Sequence, residues 1–561
     1  MTANLTVTAA SLADELLELV CAAEPLGASL LGLPGHDDRL GDLSAEAEVG
    51  VASAFGDLAE RASALDAESL SEVDRQTRDF VAHLAGTERD VAELRTVEWT
   101  VTDLWVAPAA ALIELLPRVP LNSPEKAAGF LARLGQFPSY FAAAGQRHRE
   151  GLAAGRTPVA SLVRSAIDHL DRVLADEDLS GLRVRGGPGV TDQEAFAAER
   201  DRLISEAVVP ALTGYRDLLR DEILPAGRSD DQAGVCHLPG GAETYATLAR
   251  KHTSTRRTPD DLHAVGLGII AALDAEYAEL GGRVFGTTDL AEIFDRLRTD
   301  PALRYTSAEE MLEQARAVVA RASAAAPGWF GRRPSTECVV EAVPAAAAPG
   351  SPAAYYLPGA IDGSRTGTYF LNTFEPTERF RHTSELVAFH EAVPGHHFQI
   401  SIAQELTDLP LARRLLNDTA FGEGWGLYCE RLADEMGLYS DDLARMGMLS
   451  ADSWRAARLV VDTGIHAMGW SRERALTWMR THTPLSDSET ATEIDRYIAY
   501  PGQALSYMVG RLELLTLRAK AADQLGEKFD LKAFHDVVLG AGSLPLAVLG
   551  DVVDRWITAQ A

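Results

Sequence analysis

The chain has 561 residues, of which 46% are hydrophobic and 24% are charged, and its formal net charge is −30. The length exceeds that of one hydrophobic core, so we expect two lobes or a large body with a cleft. The composition argues against a disordered or fibrous protein. The negative charge argues against a general nucleic-acid binder, because the phosphate backbone would be repelled.

The N-terminal segment predicts an amphipathic helix rather than a signal peptide. Asp14, Glu15 and Glu18 interrupt its apolar part, and no basic leader precedes it. The one long uncharged run, 342–361, contains four prolines and does not predict a membrane-spanning helix. The four cysteines form no CxxC pair, which argues against a disulfide framework and a cysteine zinc site. A cytoplasmic protein without a membrane partner is the simplest expectation.

Residues 10–225 are rich in Ala, Leu, Arg and Glu at helical spacing and predict a helical lobe. Within it, 157–174, with Thr157 as N-cap, and 192–223 predict long helices. The polar, turn-rich segment 225–241 predicts the boundary between lobes. We therefore expect an N-terminal helical lobe, 1–235, and a catalytic lobe, 236–561, packed closely in one body. In the second lobe, Thr258 before Pro259 predicts another helix start.

Three short runs of β-branched and aromatic residues predict strands at 337–341, 354–357 and 367–372. Pro and Gly separate these runs, which is typical of a small antiparallel sheet. The helical pattern resumes at Thr383 and continues to the C-terminus. The predicted fold is therefore mainly α and two-lobed, with a small antiparallel sheet beside a cleft.

Three of the fourteen histidines, His390, His396 and His397, lie within eight residues and next to Glu391. In a helical zinc site, two histidines four residues apart share a face, and the glutamate after the first polarises water. Here a proline occupies position 394, so the regular spacing is absent. We expect the Pro-Gly step to open the helix and return His396 or His397 to the ligand position. His396 is favoured, and His397 would then line the site or bind substrate.

A third ligand is expected from another helix, for which Glu423 is the best candidate. Glu423 and Glu430 are seven residues apart and share one helix face. Two acids on one face of an otherwise apolar helix, with glycines on both sides of Trp425, favour a metal site over surface charges. Glu430 would orient a ligand histidine. The prediction is one Zn²⁺ ion held by His390, His396 and Glu423.

These motifs resemble the bacterial family known as domain of unknown function 885, whose hallmark is HExxPGHHxQ followed by a Glu-Gly-Trp-Ala/Gly-Leu-Tyr-x-Glu helix. Here they read HEAVPGHHFQ and EGWGLYCE. The likeness covers most of the chain, through 362–365, 461–466, 500–507, 534–535 and 544–546. The family is similar in architecture to thermostable carboxypeptidases and thimet-type oligopeptidases, which implies a zincin-like, two-lobed helical fold with zinc in a long groove. Those relatives also carry a glutamate ligand and a second glutamate seven residues on.

Residues and resemblance together predict a zinc metallopeptidase of the carboxypeptidase or oligopeptidase type, with Glu391 as general base for metal-activated water. Tyr507, Tyr500 and His466 are candidates for holding the oxyanion, because Gly or Pro shapes the motif of each. Tyr507 is the first choice. For a substrate carboxylate, Arg365 or Arg496 could supply a cation.

Several alternatives share the same residues. A zinc-dependent hydrolase of a non-peptide small-molecule amide would use the same site. A di-iron protein needs Glu-x-x-His pairs, and proline stands where Glu391 would need its histidine. A scaffold that uses zinc only for stability would have a closed coordination shell. Glu391 beside the predicted ligands argues against such a scaffold. If the substrate is a peptide, the predicted strand 368–372 could align it by strand addition. Cleavage direction and oligomeric state stay open.

Overall fold

The protein is described by a computed structural model that covers residues 7–176, 179, 181–345, 348, 351–361 and 365–560. Its fold is mainly helical, as predicted. The helices are α1 Ala9–Ala23, α2 Pro25–Leu31, α3 Ala45–Ser63, α4 Glu72–Ala92, α5 Pro108–Leu115, α6 Pro124–Gly135, α7 Phe137–Ala153, α8 Ala160–Ala175, α9 Gln193–Leu203, α10 Val209–Leu218, α11 Leu224–Ala226, α12 Gly241–Thr253, α13 Pro259–Val284, α14 Leu290–Thr299, α15 Ala308–Ala325, α16 Ser384–Glu391, α17 His396–Glu405, α18 Leu411–Leu415, α19 Thr419–Glu435, α20 Asp442–His466, α21 Arg472–His482, α22 Asp487–Ala499, α23 Ser506–Leu525, α24 Leu531–Gly540 and α25 Leu546–Gln560.

Of the two predicted N-cap threonines, one caps its helix and the other does not. Thr258 caps α13 as predicted, and it forms a reciprocal capping box with Asp261. Thr157 is not the N-cap of α8, which begins at Ala160. The reason is a backbone bridge: Arg228 donates its N–H to the Pro158 carbonyl, and Ala160 donates to the Arg228 carbonyl, both at 2.8 Å. These bonds hold the chain before Ala160 in an extended conformation.

The predicted helix 192–223 is one continuous helical run with two π-helical turns. Asp192 caps its start by accepting a hydrogen bond from the Ala195 N–H. The π turns, 204–208 and 219–223, each end two residues before a proline, Pro210 or Pro225. Because proline has no N–H to donate, the wider turn is a means of accommodating it without ending the helix.

Within the described residues, the buried apolar side chains form two clusters. The smaller cluster lies entirely between residues 101 and 223. The larger cluster combines α1, α3 and α4 with the elements after residue 233. The first helices of the chain therefore pack with its second half, and the division at 235/236 stays a prediction. The first six residues of the N-terminal segment lie outside the described part, and α1 is amphipathic as expected, with Leu12 and Leu16 fully buried.

The three strands, β1 Val339–Ala342, β2 Ala354–Leu357 and β3 Thr368–Leu371, form a mixed sheet in the order β1-β3-β2. β2 pairs antiparallel with β3, but β1 runs parallel to β3, so the prediction of an antiparallel sheet is wrong. The long connection between β1 and β3 lets the chain return before it pairs, as a parallel partner requires. Strand addition at 368–372 is also excluded, because β3 has a partner on each side.

The uncharged run 342–361 supplies β2 and the end of β1, although four of its residues lie outside the described part. No helix among the described residues has the length and apolar character that crossing a bilayer requires.

Candidate metal centre

The HEAVPGHH motif folds as two helices joined by a tight turn. α16 ends at Glu391 and α17 begins at His396. Gly395 is required in the turn, since a Cβ there would overlap the carbonyl oxygens of Phe389 and His390. The Pro394 carbonyl accepts a hydrogen bond from Trp425 Nε1 at 2.9 Å, which ties the turn to α19. The proline and glycine therefore build a fixed turn rather than a frayed helix end.

The turn brings together His390, His396 and Glu423, whose candidate ligand atoms all lie within 4.8 Å of one another. Nε2 of His390 lies 3.5 Å from Glu423 Oε2, and Nε2 of His396 lies 3.6 Å from the same oxygen. The two imidazole rings are perpendicular, with centroids 4.7 Å apart. No other group of three or more such residues in the described part of the chain meets the same distance condition.

The spacing of these atoms fits a zinc ion better than it fits direct hydrogen bonds. Both nitrogen–oxygen distances exceed the normal hydrogen-bond range. Two ligands of a tetrahedral zinc ion, each about 2.0–2.1 Å from the metal, lie about 3.3–3.4 Å apart. The donor set of two imidazoles and one carboxylate also suits zinc and would leave one coordination position open. These three residues could therefore hold a divalent metal.

Glu430 lies behind the cluster, seven residues or about two helical turns after Glu423. Its Oε1 accepts a hydrogen bond from His390 Nδ1 at 2.8 Å, and the side chain is completely buried. Because Nδ1 is engaged, Nε2 of the same ring points to Glu423. This is the arrangement by which an outer carboxylate fixes the tautomer and orientation of a ligand histidine.

The electrostatics of the centre favour a cation. Burial disfavours the charged form of His390, but its interactions with Glu423 and Glu430 outweigh burial and raise its pKa to about 10. Burial likewise disfavours the Glu423 carboxylate, and the two histidines reverse this and hold its pKa far below the usual range. The site thus binds a proton firmly when no metal is present, and a metal would displace that proton.

The glycines around Trp425 have separate packing roles. A Cβ at Gly426 would lie 2.7–2.9 Å from three atoms of the His390 ring, so the absence of a side chain makes room for that ring. A Cβ at Gly424 would collide with the backbone of Gly510 on α23. The two glycines therefore let the His390 ring and helix α23 each lie close to α19.

Glu391 is half-buried at the end of α16, and its carboxylate has no hydrogen-bond partner among the described residues. Burial and then the negative charge of Glu391 raise the pKa of the Tyr369 hydroxyl. Burial raises the pKa of Cys338 to about 12, with a smaller contribution from the same carboxylate. Glu391 therefore lies near the sheet, with no hydrogen bond from the described residues to its carboxylate.

Tyr507 lies beside His390, at the start of α23. Its ring is nearly parallel to that of His390, with centroids 6.4 Å apart. Arg458 lies 4.3 Å from the centre of the Tyr507 ring. Burial and the charge of Glu423 raise the pKa of Tyr507, so the hydroxyl keeps its proton and can donate it in a hydrogen bond.

His397 faces away from the cluster and joins α17 to the sheet. Its Nδ1 lies 3.0 Å from the Tyr356 hydroxyl, and its Nε2 lies 3.0 Å from the Thr336 carbonyl oxygen. Burial lowers its pKa. Both ring nitrogens have protein partners, so the geometry favours His396 over His397 as the metal ligand.

His466 and Tyr500 lie apart from the three candidate ligands. His466 accepts a hydrogen bond from the Val235 N–H through Nδ1 and bonds to the Tyr497 carbonyl through Nε2. Burial lowers its pKa to about 3, so the ring is neutral and has no free nitrogen for an oxyanion. Tyr500 lines a separate cavity, where it packs against Trp105 and His252.

The two candidate arginines are also engaged elsewhere. Arg365 is exposed and donates to the Pro358 carbonyl at 2.9 Å, which closes the loop before β3. Arg496 donates to both oxygens of Glu493 and to Gln503. All three nitrogens of the Arg496 guanidinium are thus engaged, whereas the bond of Arg365 uses Nη2 alone. Residues 362–364, which precede Arg365 in its motif, lie outside the described part.

The sequence reasoning missed two arginines of α20. Arg455 Nη2 lies 3.7 Å from Glu430 Oε1, and Arg458 covers Tyr507. Both are almost fully buried. The signal was present in the sequence, since Arg455, Arg458 and Asp462 follow at helical spacing in a segment that is otherwise apolar. Buried charges at such spacing are typical of a polar network around a site.

Comparison with known proteins places this chain in a family. A crystal structure of a candidate lipoprotein from Colwellia psychrerythraea has a TM-score of 0.90 and 27% identity, with 98% of this chain and 99% of that chain covered. A candidate lipoprotein of unknown function from Shewanella oneidensis has a TM-score of 0.77 and 18% identity, with 97% and 99% covered, and shows the fold alone. No curated protein matches. Residues 25–553 match the family described as "Bacterial protein of unknown function (DUF885)". The chain therefore belongs to the DUF885 family, as its motifs predicted.

Proposed function

We propose that this protein is a zinc-dependent metallohydrolase of the peptidase type, with a zincin-like site and a carboxypeptidase- or oligopeptidase-like action. The observation that carries the proposal is the convergence of His390 Nε2, His396 Nε2 and the Glu423 carboxylate, with Glu430 behind His390. Three protein ligands with an open fourth position are characteristic of catalytic rather than structural zinc sites.

Zinc held by these residues would supply Lewis-acid chemistry, which polarises a carbonyl group and lowers the pKa of water. Glu391 would take the proton from the attacking water, since its carboxylate is next to His390 in the chain and has no described partner. The same residue would then pass that proton to the leaving amine. Tyr507 would donate a hydrogen bond to the oxygen of the tetrahedral intermediate.

A peptide is the favoured substrate because an outer strand lies beside the candidate base. β1 and β2 are the outer strands, but Arg316 bonds to the Val340 carbonyl of β1, so an extended chain could pair with β2. The bond between Tyr356 of β2 and His397 fixes the sheet to the helix that carries His396. A small-molecule amide would use the same catalytic residues, but it would not need a strand edge.

The first experiment measures bound zinc by elemental analysis in the wild type, His390→Ala, Glu423→Ala and Glu391→Gln, each also assayed on a mixed peptide library. We expect about one zinc per chain in the wild type and in Glu391→Gln, and loss of zinc from the two ligand variants. Peptide cleavage should be lost in all three variants. Glu435→Ala is the matched control, since Glu435 lies on α19 but pairs with Arg518 at the surface.

Other outcomes decide between the alternatives. Zinc in the wild type together with cleavage of small amides, but not of peptides, would favour the small-molecule hydrolase. A folded wild type that takes up no zinc when the ion is supplied would overturn the proposal.

The cytoplasmic location belongs to the same set of proposals. The two similar bacterial structures are described as candidate lipoproteins, which is a statement about those proteins. Fractionation of the native host with an antibody to this chain is the test, and recovery in the membrane fraction would contradict a cytoplasmic location.

A further inference from the structure

A cavity of about 490 Å³ lies where α1, α2, α4, α5 and α12 meet the loop that carries Tyr500. Four aromatic side chains line it: Trp99, Trp105, Tyr140 and Tyr500. Trp105 is 52% exposed, and it meets Tyr500 edge to face with centroids 5.6 Å apart. An exposed tryptophan inside a concave, largely apolar cavity of this size is typical of a small-molecule site.

Two carboxylates, Glu24 and Glu88, share one ammonium group, Lys251, among the charged side chains that line the cavity. Lys251 and Glu88 pair at 3.2 Å. Glu24 is exposed to the cavity and forms no ion pair or hydrogen bond through its side chain with the described residues, although the charge of Lys251 acts on it as well as on Glu88. Burial lowers the pKa of His252 to about 3, so this ring is neutral and does not repel a cation.

We propose that this cavity binds an organic cation, namely a protonated amine carried on an apolar body. The ammonium group would lie beside the Glu24 carboxylate, and the apolar part would pack on Trp105 and Tyr500. Aromatic faces attract cations as well as apolar groups. An anionic ligand is disfavoured, because two carboxylates and one ammonium leave the cavity lining with an excess of negative charge.

The site is distinct from the proposed metal centre. None of its lining residues is His390, His396, Glu423 or Tyr507. The charge of Arg496 acts to lower the pKa of both Tyr500 and Tyr507, so it lies within electrostatic range of both sites. The proposal therefore goes beyond the hydrolase function and does not depend on it.

The test is titration of the full-length protein with 2-phenylethylammonium, followed by tryptophan fluorescence and isothermal calorimetry. The neutral analogue 2-phenylethanol and the anion 3-phenylpropionate are titrated in parallel. We expect saturable binding of the amine and at least about tenfold weaker binding of both analogues. Equal binding of the amine and the alcohol would overturn the proposal.

Variants locate the site. Glu24→Gln and Trp105→Ala should each weaken amine binding about tenfold. Both side chains are exposed within the cavity, so the fold should persist, and circular dichroism checks this. Glu18→Gln, a change of an exposed acid on α1, is the matched control and should leave the affinity unchanged. Unchanged affinity in Glu24→Gln would contradict the proposed contact.

Two further experiments test which kind of amine binds and whether its binding depends on the metal centre. The dipeptide amide of phenylalanine and alanine is titrated beside its N-acetyl form, which lacks the amino-terminal charge. Tighter binding of the free dipeptide than of 2-phenylethylammonium would identify a peptide amino terminus as the ligand. Failure of both amines to bind would overturn the proposal. His390→Ala should bind the amine like the wild type even though it lacks zinc, and loss of binding there would contradict a separate site.

Discussion

At the scale of single residues, Glu430 fixes the orientation of His390 from a completely buried position. Replacement by glutamine keeps the volume and a hydrogen-bond acceptor but removes the charge that favours a basic imidazole. We expect Glu430→Gln to bind zinc about 10–100-fold more weakly, with the fold retained. Competition with a chromophoric chelator measures this affinity.

The matched control for this change is Glu435→Gln on the same helix, whose carboxylate pairs with Arg518 at the surface. It should bind zinc like the wild type. If Glu430→Gln and Glu435→Gln were indistinguishable, Glu430 would be a packing residue without influence on His390.

A second prediction at the scale of single residues concerns Gly426. A methyl group at this position would lie 2.7–2.9 Å from the His390 ring and would push it out of place. We expect Gly426→Ala to lose zinc binding and to destabilise the protein by about 1–3 kcal/mol. Elemental analysis and thermal unfolding measure the two effects.

Gly268→Ala on α13 controls for the helix propensity of alanine, because nothing lies within 4 Å of a Cβ there. It should stabilise the protein slightly, by up to about 1 kcal/mol. Normal zinc content in Gly426→Ala would show that the ring has another way to fit.

The candidate ligands could be predicted because they follow local rules. His390 and Glu391 end one helix, and Glu423 and Glu430 share the face of another. The placement of His466, Tyr500 and Arg496 depended on packing between segments far apart in sequence, such as the bond from Val235 to His466. Spacing within a motif carries no information about such contacts.

At the scale of elements, two glycines let α19 and α23 approach closely. A Cβ at Gly510 would lie 2.7 Å from Gly424 Cα and would overlap the Ala420 carbonyl oxygen. Backbone atoms cannot move aside as a flexible side chain can. We expect Gly510→Ala to destabilise the protein by about 3 kcal/mol and to displace Tyr507, which begins the same helix.

Thermal unfolding and peptide hydrolysis together test this packing. Gly214→Ala on α10, with open space around its Cβ, should be neutral or slightly stabilising. Wild-type stability in Gly510→Ala would mean that the two helices can separate without cost.

The elements themselves were predicted better than their arrangement. Helix and strand positions follow from periodicity and capping, as for Thr258 and Asp261. The parallel pairing of β1 with β3 could not be predicted, because strand propensity does not specify direction. The start of α8 at Ala160 was missed for a related reason, since the bridge to Arg228 lies far away in sequence.

At the scale of the whole molecule, packing determines where charge is tolerated. The N-terminal helices α1 and α4 pack in the core with the second half of the chain, a contact that no local pattern indicates. Burial lowers the pKa of five histidines to about 3 or 4; these are His148, His252, His382, His466 and His535. It also raises the pKa of Asp418 and Asp462 to about 7.

These shifts predict how stability depends on pH. Below pH 6.5 the unfolded chain protonates the five histidines while the native protein does not, which destabilises the native state. The two aspartates act in the opposite direction, since the native protein keeps their protons up to about pH 7. For these seven groups the net uptake on unfolding is about three protons. They should therefore lower the free energy of unfolding by about 4 kcal/mol per pH unit between about pH 6 and 4.5.

His382→Gln isolates one of these histidines. The ring is buried with Nδ1 unpaired, so a neutral glutamine removes one titrating group and leaves the rest of the network in place. We expect the decline of unfolding free energy with acidification to become shallower by about 1.4 kcal/mol per pH unit. Denaturant unfolding from pH 7 to 4.5, in a chelator to remove metal effects, measures the slope. His482→Gln, at a partly exposed position, should leave it unchanged. Parallel curves for His382→Gln and the wild type would show that His382 is protonated in the native protein, against the effect of burial.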